Sequence, residues 1–379
     1  MRIGILTLPP NANYGGILQA YALQNTLEKE GHNVVVFDKK IYPHKLSLLK
    51  KPFVYVKRFL KKYILGQKGT IIFQERELFK KDCTIRSNTQ KFINKHIHRY
   101  VINSLKDIDK SDFDAIVVGS DQVWRMVYFK SFWETPKASD AFLGFTKGWD
   151  ILRISYAASF GTDKTDVSSN EIEECKNALA LFKAVSVRED EGVSICKNTF
   201  GINAIKVLDP TLLLTREDYL SLINNKQYPK DDKPILAKYI LDETPEIEKS
   251  IQNIAKKNNY IIKDTNLAGW GNNHNIPTPQ ISVEDWLYTF SSAKLIINDS
   301  FHATVFSILF HKSFVVIVNQ QRGASRIRSL LNMFGLEDRM VTSLNDISNF
   351  RDIDYKQIDL KLDKLRMNCL HFLQKYLKD

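Results

Sequence analysis

Short apolar runs alternate with longer amphipathic stretches along almost the whole chain, and this predicts a repeating strand-helix rhythm. Residues 2–8 and 33–38 read as the first two strands, with a helix over 16–31 between them. Phe113-Asp114-Ala115-Ile116-Val117-Val118 reads as a buried strand that enters Gly119-Ser120-Asp121-Gln122-Val123-Trp124. A strand over 151–158 ends at Ser159-Phe160-Gly161, and a helix over 171–182 leads through Ala184-Val185-Ser186-Val187 to Arg188-Glu189-Asp190. The rhythm breaks at Val207-Leu208-Asp209-Pro210, because proline fixes φ and removes a backbone donor. It restarts with strands over 234–241, 260–263, 294–297 and 314–318, and helices over 245–258, 283–290, 301–310 and 324–334. A Gly- and Asn-rich loop spans 269–279, and Leu360, Leu362, Leu365, Leu370, Leu373 and Leu377 mark a final amphipathic helix.

Strand-helix units on both sides of Asp209-Pro210 predict an α/β fold: two doubly wound Rossmann-like domains facing a cleft, then a C-terminal helix. The expected boundaries are 1–208, 209–350 and 351–379, with the last helix packing back on the first domain. Length agrees, since 379 residues exceed the roughly 250–300 that one core accommodates. No run of about 18 apolar residues occurs. The chain enters its first strand with no apolar leader, and Cys83, Cys175, Cys196 and Cys369 are scattered without a CxxC pair. A cytoplasmic protein with reduced thiols and no metal site is the expectation.

Charge changes this picture in one place. Between Asp38 and Glu75 there is no acidic residue, while ten Lys and Arg occur there, nearly the whole formal excess of +11. Leu46, Leu48, Leu49, Phe53, Val54, Tyr55, Val56, Phe59, Leu60, Tyr63 and Ile64 are interleaved with them. A basic insert over 39–68 that carries aromatics and leucines suits an anionic membrane surface, here the inner face of the plasma membrane. A solvated face of an inward-packing helix is the plainer reading of the same pattern. Nucleic acid is not the expected partner, because no recognition module is legible and the charge is confined to one insert.

The polar residues that follow predicted strands fall on the edge where parallel sheets bind ligands. They are Asn13-Tyr14-Gly15-Gly16 with Gln19, Ser120-Asp121-Gln122 with Trp124, Ser159, Arg188, and Asp299-Ser300 with His302. Gly15-Gly16 at a helix start could offer N–H groups to an anion, or serve only for backbone freedom. Asp299 or Ser300 could cap the next helix, Arg188 could simply pair with a neighbouring acid, and His302 could be a core histidine.

Taken in order, these blocks resemble the polysaccharide pyruvyl transferase family. The resemblance rests on Asn13–Gln24 and Gly119–Trp124, then Tyr156–Gly161, Ser186–Glu189, Asp209-Pro210-Thr211 and Asp299–Ala303, and covers about residues 1–335. Two departures bear on acceptor choice and competence. Ala303 stands where the family often has Gly, and Arg125 where it often has Asn.

The resemblance implies a GT-B-like fold and transfer of a pyruvyl group from phosphoenolpyruvate to a sugar, as a ketal, in bacterial exopolysaccharide or capsule biosynthesis. The acceptor would be a polysaccharide sugar or its lipid-linked precursor, on the side of the first domain, with the donor on the side of the second. No cofactor is needed beyond the donor substrate. Arginine suits carboxylate and phosphate alike through its planar fork, which points to Arg188, Arg322 and Arg326. His302 is the candidate general acid, oriented by Asp299. Asp121 is the candidate base, and Trp124 a platform for a sugar ring. A nucleotide-sugar glycosyltransferase and a non-catalytic binder of anionic membrane or nucleic acid stand as alternatives.

Overall fold

The computed structural model describes residues 1–40, 50–224, 226–229, 231–266, 277–318, 324–344 and 352–378. The first sheet is wholly parallel, in the order β3 (Arg99–Ile102), β2 (Asn33–Lys39), β1 (Arg2–Leu6), β4 (Ala115–Val118), β5 (Leu152–Ser155). Two short strands, β6 (Ser186–Val187) and β7 (Ile205–Lys206), extend it through bridges from Ile154 to Ala184 and from Ala158 to Val187. Ala157, with φ 51°, interrupts the pairing between those bridges. The second sheet is also parallel, in the order β12 (Met340–Val341), β11 (Ser313–Ile317), β10 (Ala293–Asn298), β8 (Ile235–Tyr239), β9 (Ile261–Asp264).

Central strands read as unbroken apolar runs because helices cover both faces of such sheets. Ala115–Val118 is buried throughout, as is Ile235–Tyr239. Strand order reverses between β1 and β4 in one sheet and between β8 and β10 in the other, so each sheet has a crevice at its switch point. The loops that follow these four strands carry most of the candidate residues.

The first helix, Tyr14–Lys29, begins two residues before the predicted start because Asn13 caps it, accepting from the Gly16 N–H at 3.2 Å. Strand β3 falls in a stretch where the sequence predicts no strand, since its edge position exposes Val101 and leaves little alternation to detect. The 151–158 strand is cut short at Ser155 by the turn at Ala157.

One apolar core runs through both units. Tyr14 stacks on Trp286, centroids 5.5 Å apart, and donates its hydroxyl proton to the Ile281 carbonyl at 2.9 Å. Gln280 Nε2 donates to the Ala12 carbonyl at 3.0 Å, and Asn88 Nδ2 to the Gln280 carbonyl at 2.8 Å. An aromatic pair of this kind adds about 0.5–1.5 kcal/mol beyond its buried area. The C-terminal helix, Tyr355–Tyr376, closes the junction from behind. Its Arg366 bonds the Leu212 and Leu214 carbonyls, Gln374 bonds Glu30, and Phe372 meets Tyr156. Among the described residues no helix is long and apolar enough to cross a membrane.

Candidate active site

A ring of side-chain bonds first fixes the two switch-point loops of the N-terminal sheet. Gln19, fully buried on the first helix, donates from Nε2 to Thr7 Oγ1 at 3.1 Å and to the Gly16 carbonyl at 3.0 Å. Its Oε1 accepts the Ser120 N–H at 3.0 Å, while Thr7 Oγ1 donates to the Ser120 carbonyl at 3.1 Å. Ser120 Oγ donates to the Ala157 carbonyl at 2.7 Å. Gly119, at φ 134°, admits no side chain, because a Cβ would lie 2.0 Å from the Tyr156 carbonyl oxygen. Asp121 follows in the left-handed region at φ 54°, a conformation that costs a non-glycine residue energy and recurs at functional sites. Asn13, Gln19 and Ser120 therefore frame the site with hydrogen bonds already spent inside the protein.

That frame aims Asp121 at Arg188, which leaves the end of β6 and is buried. Its Nη1 meets Asp209 Oδ2 at 2.6 Å, its Nη2 meets Asp121 Oδ1 at 3.4 Å, and its Nε lies 3.7 Å from Glu189 Oε2. The guanidinium also lies 4.2 Å over the Phe301 ring, a cation–π contact across the two units. Burial alone would lower the arginine's pKa, but Asp209, Asp121 and Glu189 outweigh it and raise it, so the charge is permanent. For Asp209 burial works toward a higher pKa. The charge and hydrogen bond of His302, then Arg188 and Thr211, reverse this and hold its carboxyl well below the carboxylate range.

His302 starts the helix Phe301–Leu309, which follows β10 at the second switch point. Its Nε2 lies 3.5 Å from Asp209 Oδ2, and its Nδ1 faces Gly15 across the junction. A Cβ on Gly15 would sit 2.1 Å from that Nδ1, so the first glycine of the loop is required by the histidine ring. Gly16 meets Asp121, whose Oδ2 would be 3.9 Å from a Cβ there.

Among the described residues, four buried atoms in this group make no hydrogen bond of normal geometry: Arg188 Nε and Glu189 Oε2, which face each other at 3.7 Å, His302 Nε2, 3.5 Å from Asp209, and Arg326 Nε. Native proteins leave few such atoms, so four around one charged cluster mark a place that a ligand or water completes. A small recess is walled by Arg188, Asp209, Phe301 and Arg326, with Leu212 and Met333 beside them. The Arg326 guanidinium has its pKa lowered by burial and then by Arg188, the signature of two cations held close without a full set of anions.

Of the predicted site residues, Arg188, Asp121, His302, Gly15 and Gly16 converge, and Arg326 joins them across the recess. Ser159 donates to Glu189 and so orients that carboxylate, and Gln122 packs on Gly161. Trp124, expected under a sugar ring, is instead fully buried between Phe142 and Phe160, with its N–H donated to the Ala141 carbonyl at 3.0 Å. Tyr14 joins the two units and lines no cleft. The acidic partner of His302 is Asp209, whereas Asp299 accepts the Leu241 and Asp242 N–H groups at 2.9 Å. Ser300 occupies the N-cap position without a side-chain cap bond. Arg322 and most of the 269–279 loop lie outside the described residues. Asp209, Glu189 and Phe301 were not singled out as site residues. For Asp209 the available signal was its place directly after an apolar run, which reads first as a proline turn.

The family model for polysaccharide pyruvyl transferase matches residues 13–321. The chain belongs to the polysaccharide pyruvyl transferase family. It is therefore a transferase. No curated protein matches it significantly. Among solved structures, it is similar to the UDP-GlcNAc 2-epimerase of Methanocaldococcus jannaschii, at 13% identity over 96% of this chain and 92% of that one, TM-score 0.45. The Neisseria meningitidis UDP-GlcNAc 2-epimerase bound to UDP-GlcNAc is similar at 13% identity over 96% and 100%, TM-score 0.44. The E. coli ADP-heptose lps heptosyltransferase II is similar at 9% identity over 97% and 99%, TM-score 0.34. The architecture of this pyruvyl transferase is read from its own strand order.

Proposed function

We propose that this protein transfers the pyruvyl group of phosphoenolpyruvate onto two hydroxyls of a sugar in a bacterial surface polysaccharide or its lipid-linked precursor, forming a cyclic ketal. The observation that carries the reading is the pair of buried unbonded atoms Arg188 Nε and Arg326 Nε on the wall of one small recess, with His302 Nε2 3.5 Å from Asp209 on the same wall. Two guanidinium groups with N–H to spare suit a donor that carries both a carboxylate and a phosphate.

The proton account follows from the overall change. Phosphoenolpyruvate and a diol become a ketal and inorganic phosphate. His302 gives a proton to the methylene carbon, which becomes the methyl group and leaves a cation at the central carbon. The first sugar hydroxyl adds there and gives its proton to Asp121 or back to the histidine. The carbon–oxygen bond to phosphate then breaks, the second hydroxyl closes the ring, and its proton leaves with the phosphate. Asp209, 3.5 Å from His302 Nε2, fixes the ring. Arg188 and Arg326 hold the anionic donor, and the apolar wall of Leu212 and Met333 limits water at the cation.

The test pairs binding with turnover. Saturating phosphoenolpyruvate, at about 100 times its Kd, should stabilise the fold by about 2.7 kcal/mol, visible as a rise in Tm, whereas UDP-sugars should not. Incubation with phosphoenolpyruvate and a sugar panel should release phosphate only with an acceptor. Stabilisation by a nucleotide sugar alone would overturn the proposal in favour of a glycosyltransferase.

A further inference from the structure

The helix Lys51–Tyr63 is docked on the protein the wrong way round for a soluble fold. Not one of its residues is buried. One side, with Lys51, Val54, Tyr55, Arg58, Lys61 and Lys62 half-buried, meets the segment that follows the helix: Arg58 bonds Glu75 and the Ile72 carbonyl, and Tyr55 packs on Phe73 at 5.1 Å. The side turned to solvent carries Phe53, Val56, Phe59, Leu60, Tyr63 and Ile64, with exposures from 42% to 79%. Their spacing of three and four residues places them on one stripe at about 100° per residue. By the same rotation Lys50, Lys57 and Lys61 border that stripe along one edge. Isolated exposed apolar residues need no explanation, but six on one face of one helix mark an interaction surface.

We infer that this helix is a membrane foot, laying its apolar stripe into the headgroup–acyl boundary of an anionic bilayer. Charge decides among possible occupants. Two copies meeting stripe to stripe would bring their lysine borders together, a like-charge contact that disfavours association. A nucleic acid would engage the lysines and leave the apolar stripe in water. An anionic lipid surface satisfies both, taking the apolar groups below the headgroups and the ammonium groups among them. The absence of any acidic residue between Asp38 and Glu75 leaves no repulsion on that side.

The test is co-sedimentation of the full chain with vesicles of equal parts phosphatidylglycerol and phosphatidylcholine, against vesicles of phosphatidylcholine alone. Binding should favour the anionic vesicles and weaken as salt shortens the Debye length. The triple variant Phe53→Ser/Val56→Ser/Leu60→Ser should lose at least about tenfold in vesicle affinity. Its urea midpoint and its stabilisation by phosphoenolpyruvate should be those of the parent, so failure here is separable from failure of the proposed activity. Equal binding to neutral vesicles, no binding to anionic ones, or full binding by the triple variant would overturn the inference. So would a parent dimer that the triple variant dissociates, or single-stranded RNA that competes off the vesicles without needing the stripe.

Discussion

Two regions hold the functional cations of this protein, and they solve opposite problems. At the junction of the sheets Arg188 has a 2% exposed side chain among three carboxylates, with Nη1 on Asp209, Nη2 on Asp121 and Nε left without a hydrogen bond. On the helix Lys51–Tyr63, Lys57 is exposed, Lys51, Arg58, Lys61 and Lys62 are half-buried with Arg58 paired to Glu75, and large apolar residues are exposed instead. A buried charge must be paired at once, because desolvation costs several kcal/mol per ion, so its partners fix geometry. An exposed charge needs no partner and fixes nothing, which leaves it to act at long range on whatever surface approaches. The first arrangement suits a small ligand in one pose, the second a broad anionic surface.

The comparison is broken hardest at His302. His302→Ala should reduce phosphate release by about 10²–10⁴-fold, the usual worth of a positioned acid. Stability should fall as well, because Asp209 loses the neighbour that most lowers its pKa, but it keeps Arg188 at 2.6 Å and Thr211 N–H at 3.0 Å and stays ionised. Single-turnover measurement at saturating donor separates this from weakened binding. Turnover near the parent's would remove the acid role. Next in size is Arg188→Ala, which strands Asp209, Asp121 and Glu189 and should cost about 3–5 kcal/mol in urea unfolding. Arg188→Lys keeps the charge without the fork and should fall between. Equal stability of Arg188→Ala and the parent would show that the cluster is not coupled to the fold.

The scaffold of this region was legible in sequence, and its chemistry only in part. Apolar runs ending in polar clusters locate the switch points, because a parallel sheet requires both features there. Arg188 and His302 stand out as polar residues at strand ends. Asp209 does not, since an Asp before Pro in a break between domains has a sufficient local explanation as a turn. Its meaning comes from residues 93 positions away, at His302, and 21 away, at Arg188. Trp124 failed for the converse reason. An aromatic after a polar cluster reads as a ligand platform, but its burial against Phe142 and Phe160 is set by segments the local pattern does not join to it.

Gly15→Ala is a smaller and sharper probe. The new methyl would strike His302 Nδ1, and overpacking of this kind costs about 1–3 kcal/mol. Because the clash falls between the two units, kcat should drop more than stability does, which urea unfolding and phosphate release measured side by side would show. Acidity probes the same cluster without mutation. The folded-state pKa of Asp209 lies below its unfolded value of about 3.9, so the unfolded chain binds more protons as pH falls through that value. The Asp209 contribution is fully present above about pH 4–5 and lost progressively below. Unfolding free energy followed from pH 6 downward should therefore decline, and less steeply in Arg188→Ala, where one cause of the depression is gone.

The smallest expected effect lies on the basic helix. Replacing Phe53, Val56 and Leu60 by serine removes large apolar groups, a change that would cost several kcal/mol in a core. Here the residues are 79%, 57% and 42% exposed, so a large share of their area stays in water when the chain folds. Folding recovers little from them, and each change should stay within about ±0.5 kcal/mol of the parent. Urea unfolding measures this directly. A loss of several kcal/mol would mean that the stripe is covered in the free protein, and the contrast between an inward charge cluster and an outward apolar face would collapse. An unchanged midpoint leaves the stripe's apolar area unspent in folding, and therefore still available to drive association with a surface that is not part of the chain.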